Sequence, residues 1–219
     1  MSDIFREVDE EVRRDKAEEF WKKHQTHILI VAALIVLATA GYRFWDDQRL
    51  KAAQAAGAQF EQALEQDHSG KGAEAGAALA KIAAEAPAGY KTLARLAQAA
   101  VLSKSDAKGA IAAYDALAQD ASIGALFQDA ARLRASLLRI DAGETDKARA
   151  ALETLAVPAG AYRHTAREML GVIALNAGDI EGAGKWLDMV VSDAEAPSAV
   201  RANAQALLGV VASGKPAAK

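Results

Sequence analysis

The chain contains no cysteine. That excludes disulfides, thiolate nucleophiles and cysteine-based zinc sites. It has no basic excess either. Lys and Arg number 26 against 29 Asp and Glu, a formal net charge of -3. Such a balance does not neutralise a run of phosphates, so nucleic acid is not an expected partner. Aromatics are only 5% of the residues. Catalytic patterns are scarce as well. No G-x-S-x-G and no phosphate-loop sequence occurs. The glycines at 70, 72 and 76 miss the dinucleotide spacing and follow no strand.

What the chain has in quantity is alanine, 55 of 219 residues. Alanine has the best helix propensity and a small side chain. With few β-branched runs outside Ile28–Leu37, the composition predicts an all-α protein with closely packed helices.

One stretch stands apart. Ile28 to Tyr42 carries no charge, and Arg43, Phe44 and Trp45 follow. From Ile28 to Trp45 the length suits a tilted spanning helix. Arg43 can snorkel to the headgroups, and Trp21, Tyr42 and Trp45 suit aromatic belts. Ala38-Thr39-Ala40 also fits a signal-peptidase site, and a buried core helix is a third reading. The preceding segment weighs against a signal peptide. It is long and holds eight acids against six Lys and Arg. A retained transmembrane helix is the expectation. Arg13, Arg14, Lys16, Lys22 and Lys23 precede it, and Arg43, Arg49 and Lys51 follow. The positive-inside rule then puts the N-terminus in the cytoplasm and the rest in the periplasm of a two-membrane bacterium.

Residues 1–27 read as one charged cytosolic helix, capped by Ser2 or Asp3, with a thin stripe of Phe5, Val8 and Val12. The stripe belongs either to a solvated lead-in or to a docking helix.

Beyond Trp45 the chain repeats. Ala75, Ala110, Ala148 and Ala183 open similar helices, spaced 35, 38 and 35 residues apart. Turns at Gly70, Ser105, Gly143 and Gly178 precede them, and breakers at Pro87, Ser122, Pro158 and Pro197 follow. A first helix precedes each turn, at roughly 90–103, 126–141 and 161–176, with 198–212 as a lone cap. Residues 46–66 form the first member of the first pair, either continuous with the membrane helix or broken near Gly57. Leu93, Leu96, Ala97 and Ala100 follow core spacing, as do Leu133, Leu137, Leu138 and Ile140, and Met169, Leu170, Ile173 and Ala174. Gly171 and Ala183 allow close helix approach. A period near 34 made of two helices predicts a tetratricopeptide-like α-solenoid of about four pairs plus a capping helix. The expected domains are 1–27 cytosolic, 28–45 transmembrane, 46–213 periplasmic solenoid and 214–219 a flexible tail.

Site residues are few. His24 and His27 sit at the membrane edge and His68 in a turn. His164 and Glu168 share a helical face without a third ligand, so no metal is expected. Glu144/Asp146 and Asp179/Glu181 occupy first turns of helices, where the macrodipole favours acids. Arg95, Arg132, Arg134, Arg163 and Arg167 on the first helices read either as ordinary solvent-facing charge or as clamps for a partner's carboxylates. No catalytic, cofactor-binding or metal residue is assigned, no cofactor or small-molecule substrate is expected, and partner-binding residues are unknown.

The segment Asp3–His24, "DIFREVDEEVRRDKAEEFWKKH", followed by one spanning helix and a divergent tetratricopeptide domain, resembles the ancillary SecYEG translocon subunit family, the YfgM-like inner-membrane proteins, in its alphaproteobacterial branch. "LGVIALNAGDIEGAGKWL" comes closest to the repeat consensus, while the consensus aromatics of the first helices are largely missing. The resemblance implies a non-enzymatic adaptor. Its expected partners are Sec translocon subunits and a membrane-anchored periplasmic chaperone or foldase. A scaffold for outer-membrane or cell-wall assembly shares the architecture. A soluble enzyme or ligand binder requires cleavage after Ala40.

Overall fold

The computed structural model describes residues 2–213, with side chains from Arg13 onward except Asp15, Ala17 and Ile28. The expectations for Phe5, Val8, Val12, the Ser2 or Asp3 cap and the 214–219 tail fall outside the described side chains and residues. Among the described residues there is no strand. The helices are α1 (Ser2–His68), α2 (Gly72–Glu85), α3 (Ala88–Ser103), α4 (Ala107–Gln119), α5 (Ala125–Asp141), α6 (Thr145–Leu155), α7 (Arg163–Asn176), α8 (Ile180–Val191) and α9 (Ser198–Ser213). A short 3-10 turn, Ala121–Ile123, lies between α4 and α5. The long second interval of the repeat is taken up there.

The chain divides into two compact units, 1–54 and 55–219. In the first, the large apolar side chains at Leu29, Ile30, Val31, Leu34, Ile35, Val36 and Leu37 are all exposed. Each such side chain gains about 1.5–3 kcal/mol on leaving water. From Leu29 onward α1 is the one described helix long and apolar enough to cross a membrane. Thr39 donates its hydroxyl to the Ile35 carbonyl at 2.7 Å, so it presents no free polar group. Arg49 lies over the Trp45 ring at 4.6 Å, a cation–π contact next to the apolar stretch.

The second unit is a stack of helix pairs. The end of α1 pairs with α2, α3 with α4, α5 with α6 and α7 with α8; α9 packs on α7 and α8. Three of the turns within pairs hold a left-handed glycine: Gly70 (φ 79°), Gly143 (φ 78°) and Gly178 (φ 77°). The Ser105 turn has none. There the N–H groups of Ser105 and Asp106 both reach the Leu102 carbonyl. Asp106 then caps α4 by accepting from the Gly109 N–H at 2.9 Å, and Asp179 caps α8 by accepting from Gly182 at 2.8 Å.

Small residues are buried on both helices of each pair. Ala75, Ala110, Ala148 and Ala183 are all 0% exposed. On the partner helices stand Ala63, Ala99, Ser136 and Gly171, all buried. Four residues after each repeat alanine a larger side chain fills the core: Leu79, Tyr114, Leu152 and Leu187. At Gly57, within α1, a Cβ atom would meet the Tyr90 hydroxyl at 2.6 Å.

The expected core stripe of α3 is corrected in part. Leu93 is 38% exposed and Ala100 is also exposed; the buried residues are Thr92, Ala94, Ala99 and Val101. The helix lies between two neighbours. Ala94 and Val101 pack with α1 and α2, and Ala99 packs with α4 and α5. Burial on two sides breaks the single-face periodicity that the sequence was read by. The start of α7 also moves, from 161 to Arg163.

Two glycine substitutions separate packing from propensity. A Cβ atom at Gly171 would lie 2.8 Å from Leu187 Cγ, whereas one at Gly209 meets nothing. Gly171→Ala is expected to destabilise by about 1–3 kcal/mol through overpacking. Gly209→Ala is expected to stabilise by about 0.5–1 kcal/mol. Denaturant midpoints moving in opposite directions check this.

Candidate functional site

The densest polar cluster lies at the start of α7. Arg163, His164 and Arg167 all turn to Asp193, in the loop between α8 and α9. Arg163 Nε donates to Asp193 Oδ2 at 3.2 Å, and His164 Nε2 lies 2.8 Å from the same oxygen. A carboxylate only accepts, so that ring nitrogen carries the proton. Arg163 also pairs with Glu195. Arg167, 5% exposed, donates Nε–H to the Ala156 carbonyl at 3.0 Å and sets Nη1 3.6 Å from Asp193 Oδ2. Arg201 of α9 donates to the carbonyls of Asp193, Ala194 and Ala196. The loop that carries the chain into α9 is thus held from two helices. The His164 hydrogen bond, then the Glu195 N–H and the Arg163 guanidinium, hold the Asp193 carboxyl down to about 2.

The other arginines are also engaged within the chain. Arg95 NH1 donates to Asp120, the residue that closes α4, at 2.5 Å. The Ser122 hydroxyl and then Arg95 hold Asp120 down to about 2. Arg132 pairs with Asp129 at 2.6 Å, and Arg139 reaches Asp115 of α4 at 2.5 Å. Arg134 is exposed. Arg95, Arg163 and Arg167 are struts within the chain, because acids at helix ends and in loops meet them first. Arg132 makes a local pair with Asp129 on its own helix.

The remaining candidates disperse. His68 is exposed at the end of α1, His27 is exposed, and the His24 ring lies 4.6 Å from Phe20. Burial raises the Glu168 carboxyl, and Asn203 tempers the rise. Among the described residues no group of three His, Asp or Glu side chains is arranged for a metal. Glu144 and Asp179 precede α6 and α8, and Asp146 and Glu181 lie in their first turns.

One concave feature is large. Over α3, between α2 and α4, runs a groove of about 660 Å³. Gly72 and Gly76 form one wall, Gln98 and Leu102 the floor, and Ala113 the other wall. At one end Lys104 Nζ pairs with Asp67 at 2.7 Å. Sequence reading missed this groove; its signal is the glycine pair at 72 and 76 within a helix.

A family described as tetratricopeptide repeat-like domain matches residues 18–207. The chain belongs to this family. Comparisons with curated proteins and with solved structures each find no match. Tetratricopeptide-like solenoids are protein-interaction scaffolds that present extended surfaces to other chains. The repeat pattern W-x2-L-G…A-x3-F explains where the struts sit. Arg167 stands at the tryptophan position ahead of Leu170 and Gly171, and Arg95 and Arg132 stand at the matching places ahead of Ala99 and Ser136. Arg95 and Arg167 tie the first helix to an aspartate at the end of the second, Asp120 and Asp193. A guanidinium–carboxylate pair thus replaces aromatic bulk. Arg132 has Val157 at that spacing and turns to Asp129 instead.

The depressed Asp193 and Asp120 values set an acid limit. Their folded values, about 2, lie below the ordinary aspartate value of 3.8. The stability they contribute is present above pH about 4 and is lost as pH falls through about 2. Melting temperature is expected to drop between pH 4 and 2. Asp193→Asn is expected to lower it at pH 7 and to flatten that drop. An unchanged acid profile in the variant would contradict this role for Asp193.

Proposed function

We propose that the protein is a membrane-anchored, non-enzymatic adaptor at the Sec protein-conducting channel. In this reading residues 1–27 are cytosolic, 28–45 span the inner membrane, and the tetratricopeptide-like domain from 46 to 213 lies in the periplasm. There it contacts translocon subunits and a membrane-anchored chaperone or foldase, and assists folding of exported chains. The observation that carries the reading is the joining of an unburied apolar helix to a protein-interaction domain. The family match begins at residue 18, ahead of that apolar helix. The likeness of Asp3–His24 to the YfgM-like translocon subunits supports the choice of partner.

The mechanism is tethering. A domain confined near the channel exit meets weak partners at high effective concentration. No reaction step is required of any side chain.

The test is crosslinking in intact cells with a C-terminal tag, mild solubilisation and identification of what co-purifies. Enriched translocon subunits together with peptides from residues 1–27 are the expected result. Enrichment of cell-wall or outer-membrane assembly proteins instead would place the scaffold elsewhere in the envelope. A chain beginning at Gly41 with no membrane partner would overturn the anchored reading.

A further inference from the structure

We propose that a second copy of this chain docks on α9, the two α9 helices pairing across a twofold axis. Three observations converge on it, and none depends on the Sec channel.

The first is the register of α9. Its run Leu207-Leu208-Gly209-Val210-Val211-Ala212 repeats Met169-Leu170-Gly171-Val172-Ile173-Ala174 of α7, 38 residues on. At the same interval Arg201 and Ala204 match Arg163 and Ala166. α9 therefore has the sequence of a first helix, without a second helix among the described residues. Its inner face packs as that of α7 does. Ala204 and Ala166 are both 0% exposed, and Leu207, Leu208 and Val211 join the core beside Ala204.

The second is the other face. In α7 the second helix of the pair, α8, covers Gly171, Ala174 and Leu175. All three are buried, and a Cβ atom at Gly171 would lie 2.8 Å from Leu187. The matching residues of α9, Gly209, Ala212 and Ser213, are exposed, and a Cβ atom at Gly209 meets nothing within 4 Å. A helix that ends a stack of repeats needs a polar outer face. This one has no charged residue from Ala202 to Ser213. It keeps the face that another helix covers in the pair before it.

The third concerns the occupant. Residues 214–219, Gly-Lys-Pro-Ala-Ala-Lys, hold no large apolar side chain to set over Gly209. The first pair, at the far end of the stack, exposes Glu61, Glu65, Glu74 and Lys81. Burying those charges against an uncharged face is costly, so copies do not stack head to tail. α9 matches itself. Ala202, Gln205, Ala206 and Gly209 are exposed at helical spacing, uncharged, and small but for the glutamine. Like then meets like, and the assembly closes after two copies. One helix face buries less than the roughly 1,200 Å² of a stable interface, so the pairing is weak in dilute solution. Copies held in one membrane, as proposed above, meet at high effective concentration. The strength of the contact, not its place, rests on that reading.

The chain has no cysteine, so a single introduced one reports contact between copies directly. Ala202→Cys, Ala206→Cys and Gly209→Cys, each in the full chain, are treated with a mild oxidant in intact cells. Ala77→Cys, at an exposed position of α2, is the control. The expected result is a disulfide-linked dimer of this chain from at least one α9 position, well above the control. Gln205→Lys added to that variant is expected to cut the dimer about tenfold, because like charges then meet across the axis. Its melting temperature is expected to stay the same. A dimer no stronger than the control, mixed disulfides with another protein in its place, or a dimer indifferent to Gln205→Lys would each overturn the proposal. Fractionation of the same cells tests the anchor separately. A soluble chain that dimerises through α9 would overturn the anchor and leave this contact standing, and a membrane-bound chain without the dimer would do the reverse.

Discussion

The second unit depends on close approach of backbones at each helix crossing. Each helix pair buries an alanine at 75, 110, 148 or 183 and an equally small residue on the partner helix, at 63, 99, 136 or 171. Bulk is displaced to Leu79, Tyr114, Leu152 and Leu187. Few aromatics are then needed, because closely spaced helices leave little volume to fill. No single pair covers its own apolar face, so each relies on its neighbours.

Arg95 and the buried Arg167 stand at the tryptophan position of the repeat and tie down Asp120 and Asp193. The struts hold loops, and loops orient helices.

Much of this architecture is legible in the sequence. The repeat alanines and the turns at Gly70, Gly143 and Gly178 mark the pairs, because each has one physical requirement: no bulk, or a left-handed backbone. The apolar stretch from Ile28 is legible from length and composition. Less legible is what depends on three-dimensional meeting. Leu93 fits a helical stripe yet faces outward, because α3 is buried on two sides. Arg163 and Arg167 look like free surface charge, because Asp193 and Glu195 lie about thirty residues further on. The groove depends on a gap, and an absence of side chain is visible in sequence only as a glycine with many possible reasons.

The direct test of the central constraint is a comparison of buried and exposed alanines in one denaturation series. Ala75, Ala110 and Ala148 are each changed to leucine, as are the exposed Ala77, Ala112 and Ala150 two residues on. Each change at a crossing is expected to destabilise by about 1–3 kcal/mol. Each exposed change is expected to stay within about 0.5 kcal/mol. Equal effects in the two sets would contradict the claim that small residues at the crossings hold the solenoid together.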